Sequence, residues 1–225
     1  MTLTDNKMPE TAEARDGGLL LRGVRITIAQ RELLALSAII APGDVLTVMG
    51  PSGSGKSSLL AYIAGTLAPV FTATGEIVLE GQSLGGMPPE KRRTGILFQD
   101  DLLFPHLSVG GNLAFALPAN ITPRAARRTD IEAALATADL VGFADRDPAT
   151  LSGGQRARVS LLRVLLSKPR ALLLDEPFSK LDASLRASFR TYVFAEARRH
   201  RLATIMVTHD PADAAAAGGR VIELS

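Results

Sequence analysis

The sequence predicts an α/β domain with a mostly parallel sheet, and three observations carry the prediction. Apolar runs that end on glycine, on acids or on histidine recur along the chain, as "DVLTVMG" (44–50), "ALLLDEP" (171–177) and "ATIMVTHD" (203–210). Helix-spaced stretches lie between them, and alternating strand and helix is the pattern of a parallel sheet covered by helices. Hydrophobic residues make up 46% of the 225 positions, enough to fill the core of such a domain.

The elements follow in order. Residues 1–18, "MTLTDNKMPETAEARDGG", mix acids with bases around no apolar centre, so they read as a mobile tail and not as a secretory signal. From Leu19 to Val48, short apolar runs with turn signals between them, such as "APGD" (41–44), predict hairpin-connected strands. "DVLTVMG" is a buried strand, "KSSLLAYIAGTL" (56–67) a helix, and "GEIVLEG" (75–81) a strand bounded by glycines. From about 102 to 152 the composition shifts to alanine and leucine, with prolines at 105, 118, 123 and 148. Stretches such as "RAARRTDIEAALATADL" (124–140) have helical spacing, which predicts a helical segment inserted between two sheet-forming parts. "RVSLLRVLLSK" (158–168) and "SLRASFRTYVFAEARRHR" (184–201) are helices around the strand "ALLLDEP", and "ATIMVTHD" is read as the last strand.

Bulk properties remove several function classes. There is no cysteine, which excludes disulfides, thiolate catalysis and Cys-ligated metals. The net charge of +2 is too small to argue for a nucleic-acid partner. The arginine clusters at 124–128 and 198–201 are interspersed with alanine, as on a solvated helix face. No apolar run approaches the length needed to cross a bilayer, so a membrane role would come through a partner.

The strongest chemical signal is "GPSGSGKS", comprising Gly50, Pro51, Ser52, Gly53, Ser54, Gly55, Lys56 and Ser57. Glycines let the backbone wrap phosphates, the lysine neutralises the outer phosphates, and the final hydroxyl reaches Mg²⁺. A buried strand before it and a helix after it give the required context. In "ALLLDEP" the strand delivers Asp175 and Glu176 to the carboxyl edge of the sheet, where ligands of α/β proteins sit. Asp175 is placed to hold Mg²⁺ through its water shell, which leaves Glu176 to polarise an attacking water. Gln99 and His209 also end apolar strands, and each is compatible with a structural or a functional role on its own surroundings. "LSGGQ", from Leu151 through Ser152, Gly153 and Gly154 to Gln155, opens a helix with two glycines behind a serine, a second backbone cradle for an anion.

Together these motifs, in this order, resemble the ATP-binding subunit of bacterial ABC transporters, over nearly the whole span 19–224. "GPSGSGKS" looks like the Walker A loop, Gln99 like the Q-loop glutamine, "LSGGQ" like the family signature and "ALLLDE" like Walker B. "SKLD" (179–182) resembles the D-loop and His209 the switch histidine. The resemblance implies a P-loop NTPase (RecA-like) fold with an N-terminal antiparallel β subdomain and an inserted α-helical subdomain. It implies an ATPase whose catalytic residues are Glu176 and His209, with Mg²⁺ held by Ser57, Gln99 and Asp175. It further implies a head-to-tail homodimer in which residues 151–155 contact the partner chain's ATP. A separate integral membrane permease, a solute-binding protein and a peripheral place on the cytoplasmic side of the inner membrane complete the expectation.

The style of "GILFQDDLLFPHLSV" (95–109) and "LLLDEPFSKLDASLR" (172–186) is closest to importers of small ions or vitamins. The alternative is a soluble, non-transport ABC ATPase of DNA repair, translation or cluster assembly. Those relatives usually carry fused cassettes, a coiled-coil insertion or basic arms, none of which this sequence displays. One departure stands out. Family members carry an aromatic residue that stacks on adenine where this chain has Thr27 or Ile28, and no aromatic precedes Tyr62. The resemblance therefore implies weaker base stacking and looser discrimination between ATP and GTP.

Overall fold

The computed structural model describes residues 18–118 and 124–224. The tail reading of 1–18 thus falls, apart from Gly18, outside the described residues. Two sheets organise the chain. Strands β1 (Leu19–Ile28), β2 (Arg31–Ile40), β4 (Phe71–Leu79) and β5 (Gln82–Ser83) form an antiparallel sheet in the order β2-β1-β4-β5. Strand β3 (Val45–Met49) leaves the hairpin and enters the second, parallel sheet. There it joins β6 (Thr94–Leu97), β7 (Ala171–Asp175), β8 (Ala203–Thr208) and β9 (Arg220–Glu223) in the order β6-β7-β8-β3-β9.

Burial explains which strands sit where. Every residue of β8 is buried, as are the first four of β3 and of β7, because helices cover both faces of a parallel sheet. The sequence reading ended the sheet at "ATIMVTHD", and β9 corrects it. "RVIE" is four residues, mostly exposed, at the sheet edge, so it carries no apolar run to announce a strand.

Helix α1 (Lys56–Ala64) follows β3 and buries Leu59, Leu60 and Ile63 in the core shared by the two sheets. Helices α2 (Val109–Ala116) and α3 (Arg124–Thr137) form the predicted helical segment, with Val109, Leu113, Ile131 and Leu135 in a core of their own. Helix α4 (Gly153–Leu166) joins that core to the sheet. Its Ala157, Leu161 and Leu165, four residues apart, pack with β7, β8 and α5 (Ala183–Arg199), while Val159 and Leu162 face α2 and α3. Helix α6 (Pro211–Ala217) follows β8. Among the described residues, no helix is long and apolar enough to cross a membrane.

The β1–β2 hairpin closes with Ile28 paired to Arg31, so the loop is Ala29 and Gln30, with φ of 45° and 66°. Two successive positive φ values are the type I′ geometry that suits the twist of a two-residue hairpin, but asparagine and glycine normally supply them.

Candidate nucleotide site at the carboxyl edge of the parallel sheet

The site is assembled by strand order. Strands β7, β8 and β3 are neighbours, with Asp175 paired to Val207 and Met49 paired to Thr208. Their tips therefore end level, and the residues that follow them, Glu176, His209 and Gly50, emerge on one edge.

The loop 50–57 turns directly into α1. Gly55 is the N-cap, at φ 86°, and a Cβ there would meet Leu33 and Leu34 at 3.1 Å, so glycine is required twice over. No side chain caps α1 and its first turn holds no acid, which leaves its backbone N–H groups to an anion. Lys56 is 6% exposed, and its ammonium donates to the carbonyls of Gly50 (2.7 Å) and Pro51 (2.8 Å). The Ser54 hydroxyl donates to the same Pro51 carbonyl. The loop is thus folded around the lysine that phosphate would otherwise engage.

Ser57 donates from its hydroxyl to Asp175 at 2.9 Å, bringing two oxygens together at the tip of β7. Burial holds the Asp175 carboxyl above its usual range, partly offset by the Ser57 hydrogen bond. No cluster of three or more His, Cys, Asp or Glu that could hold a metal occurs among the described residues. A pair of oxygens beside a phosphate loop nevertheless fits Mg²⁺, which takes one or two protein ligands and completes its shell with phosphates and water.

Glu176 has a left-handed backbone, φ 46°, fixed where its N–H donates to the Val207 carbonyl (3.0 Å) and its own carbonyl accepts from Ser179. Its Oε2 lies 3.2 Å from Nδ1 of His209. The His209 side chain thus lies beside the carboxylate and not in the core. A polar lattice missed by sequence reading fixes the loop that carries it. Thr208 donates to Asp213, Asp210 N–H donates to Thr208, and Asp210 and Asp213 both pair with Arg190. Arg186 binds Asp210 and also donates to the carbonyls of Ser179 and Leu181.

A cleft of about 490 Å³ collects Ser52, Gly53, Gly55, Lys56, Ser57, Ser58 and Glu176 with Ile28, Leu33 and Phe71. That volume suits a nucleotide-sized ligand. Two predicted site elements lie elsewhere. Gln99 is exposed and lines a separate cleft with Asp100, Asp101, Gly153, Arg156 and Lys180. The signature residues line none of the phosphate-loop cleft. Ser152 caps α4 in a reciprocal box, accepting from Gln155 N–H while the Gln155 side chain accepts from Ser152 N–H, with Leu151 buried behind it.

Comparison with known proteins agrees with this geometry. Residues 33–179 match the family model for the ABC transporter, and the chain belongs to that family, as its ATP-binding, ATP-hydrolysing component. It is 48% identical over 196 residues to the uncharacterized ABC transporter ATP-binding protein YnjD of Escherichia coli (strain K12), covering 87% of this chain and 90% of that protein. It is 45% identical over 175 residues to the sulfate/thiosulfate import ATP-binding protein CysA of Gloeobacter violaceus, covering 78% of this chain but only 50% of the relative. Against the thiamine import ATP-binding protein ThiQ of Cereibacter sphaeroides it is 41% identical over 191 residues, 84% of this chain and 81% of that one.

Proposed function

We propose that two copies of this chain close head to tail around two ATP molecules and power import of a small solute through a separate membrane permease. The observation that carries the reading is the separation, within one chain, of the phosphate loop from the glycine pair that opens α4. The N-terminus of α1 at Gly55 has no side-chain cap, whereas that of α4 at Ser152 is closed by its own Ser152–Gln155 box and lines no part of the phosphate-loop cleft. A second copy, related by a two-fold axis, would bring its Ser152, Gly153 and Gly154 to the first copy's ATP, and the reverse.

Each residue then has a role. The loop 50–57 wraps the phosphates and Lys56 exchanges its carbonyl partners for phosphate oxygens. Ser57 and Asp175 would hold Mg²⁺, which would supply charge neutralisation for the transferring phosphoryl group, and Gln99 would join them only by moving out of its separate cleft. Glu176 accepts a proton from the attacking water, oriented by His209, whose imidazole also faces the phosphate. Gln99 and the helical segment receive the permease, and a solute-binding protein delivers the cargo. The chain would thus sit peripherally on the cytoplasmic side of the membrane. Import is supported by the names of CysA and ThiQ, and a small ion or vitamin is the cargo class.

The test is Glu176→Gln. Loss of the base lowers ATP turnover by roughly 10²- to 10⁴-fold, while ATP converts the variant from monomer to dimer by light scattering. A variant that stays monomeric with ATP bound refutes the paired arrangement.

A further inference from the structure

The cleft beside the phosphate loop has a polar half, from residues 52–58 and Glu176, and an apolar half. Ile28 on β1, Leu33 on β2 and Phe71 on β4 build the apolar half. Ile28 and Phe71 are direct partners in the β1–β4 register, and opposed residues of an antiparallel pair project from the same face of the sheet. Among the described residues, Phe71 is the only aromatic one lining the cleft, and it is half-buried, backed by the core shared with α1. A ring supported from behind and open to a ligand cleft in front is a stacking platform.

Other aromatic side chains are engaged elsewhere. Tyr62 donates its hydroxyl to the Gly75 carbonyl at 3.0 Å. Phe178 packs edge-on against Phe189 and Phe194, and Phe104 against Phe115.

We infer that Phe71 supplies the face on which the nucleobase stacks, so that β4 takes over the task for which the end of β1 offers only Thr27 and Ile28. The inference rests on the ATP site proposed above and adds its base-binding residue. A ring face reads no base edges, so guanine stacks there as well as adenine, and tolerance of GTP follows without weak binding.

The experiment compares two probes by calorimetry, ATP and inorganic tripolyphosphate, each with Mg²⁺, on the full chain and its Phe71→Ala and Phe71→Trp variants. The alanine variant should lose ATP affinity roughly five- to a hundred-fold, as removal of a base-stacking ring does, while tripolyphosphate binds as before. The tryptophan variant should bind ATP at least as well as the parent. Unchanged ATP affinity in Phe71→Ala, or an equal loss for both probes, overturns the assignment while leaving the ATP site standing. Failure of the parent chain to bind either probe overturns the site and the assignment together.

Discussion

Asp175 shows how a single carboxyl can work against the fold that positions it. Burial raises its pKa, so the charged form is less favourable in the folded chain than in the unfolded one. The folded state then binds the extra proton, and this group's contribution to stability is lost as pH rises from the ordinary value of 3.8 through the raised one. Asp175→Asn should therefore raise the Tm of the nucleotide-free protein at neutral pH and flatten this part of its pH dependence, while Mg²⁺-dependent ATP turnover disappears. Thermal melts across that pH range check the first claim, and a lower Tm for the variant contradicts it. Glu176 and Asp175 were legible as a pair because a fully apolar strand points them outward. His209 was legible only through the family resemblance, since its closeness to Glu176 follows from β7 and β8 being neighbours, which no local pattern in the sequence states. Phe71 was hidden for the same reason: its place in the cleft depends on its register with Ile28.

At the scale of the element, local chemistry decided what could be read. The serine with two glycines behind it announces the start of α4 and the glycine-rich loop announces α1, because each is a recognisable way of opening a helix. At α4 the Ser152–Gln155 box then satisfies end donors, while at α1 they are left free. The β1–β2 turn is silent by comparison. Ala29 and Gln30 hold positive φ with no residue type that favours it, and neither marks a turn. Replacing them with Asn and Gly should stabilise the chain by about 1 kcal/mol, raising Tm by about 2–4 °C. Calorimetric melting tests this, and an unchanged or lower Tm would show that the hairpin carries no strain. The edge strand β9 and the early start of β4 at Phe71 were missed because short, half-exposed strands lack the apolar alternation that reveals longer ones.

For the whole molecule, the proposed sharing of phosphate sites between two copies makes a prediction about mixtures. Lys56→Ala removes the charge from one cradle, and Ser152→Asp keeps the helix cap yet sets a carboxylate against the incoming phosphate. Each variant alone should be inactive. Mixed in equal amounts, half the dimers are hybrids and each hybrid keeps one intact site of two, so turnover should return to about a quarter of the parent rate. A mixture as dead as its components would mean that each chain works alone.

Arg186 and Arg190 stitch the segment 179–181 and helix α5 to Asp210 and Asp213, on either side of which lie Thr208, His209 and the start of α6. A guanidinium presents several donors in one rigid plane, so a single side chain can tie two or more segments together. The loops that carry Glu176 and His209 are therefore braced against each other from behind, and neither can drift without breaking ties to the other.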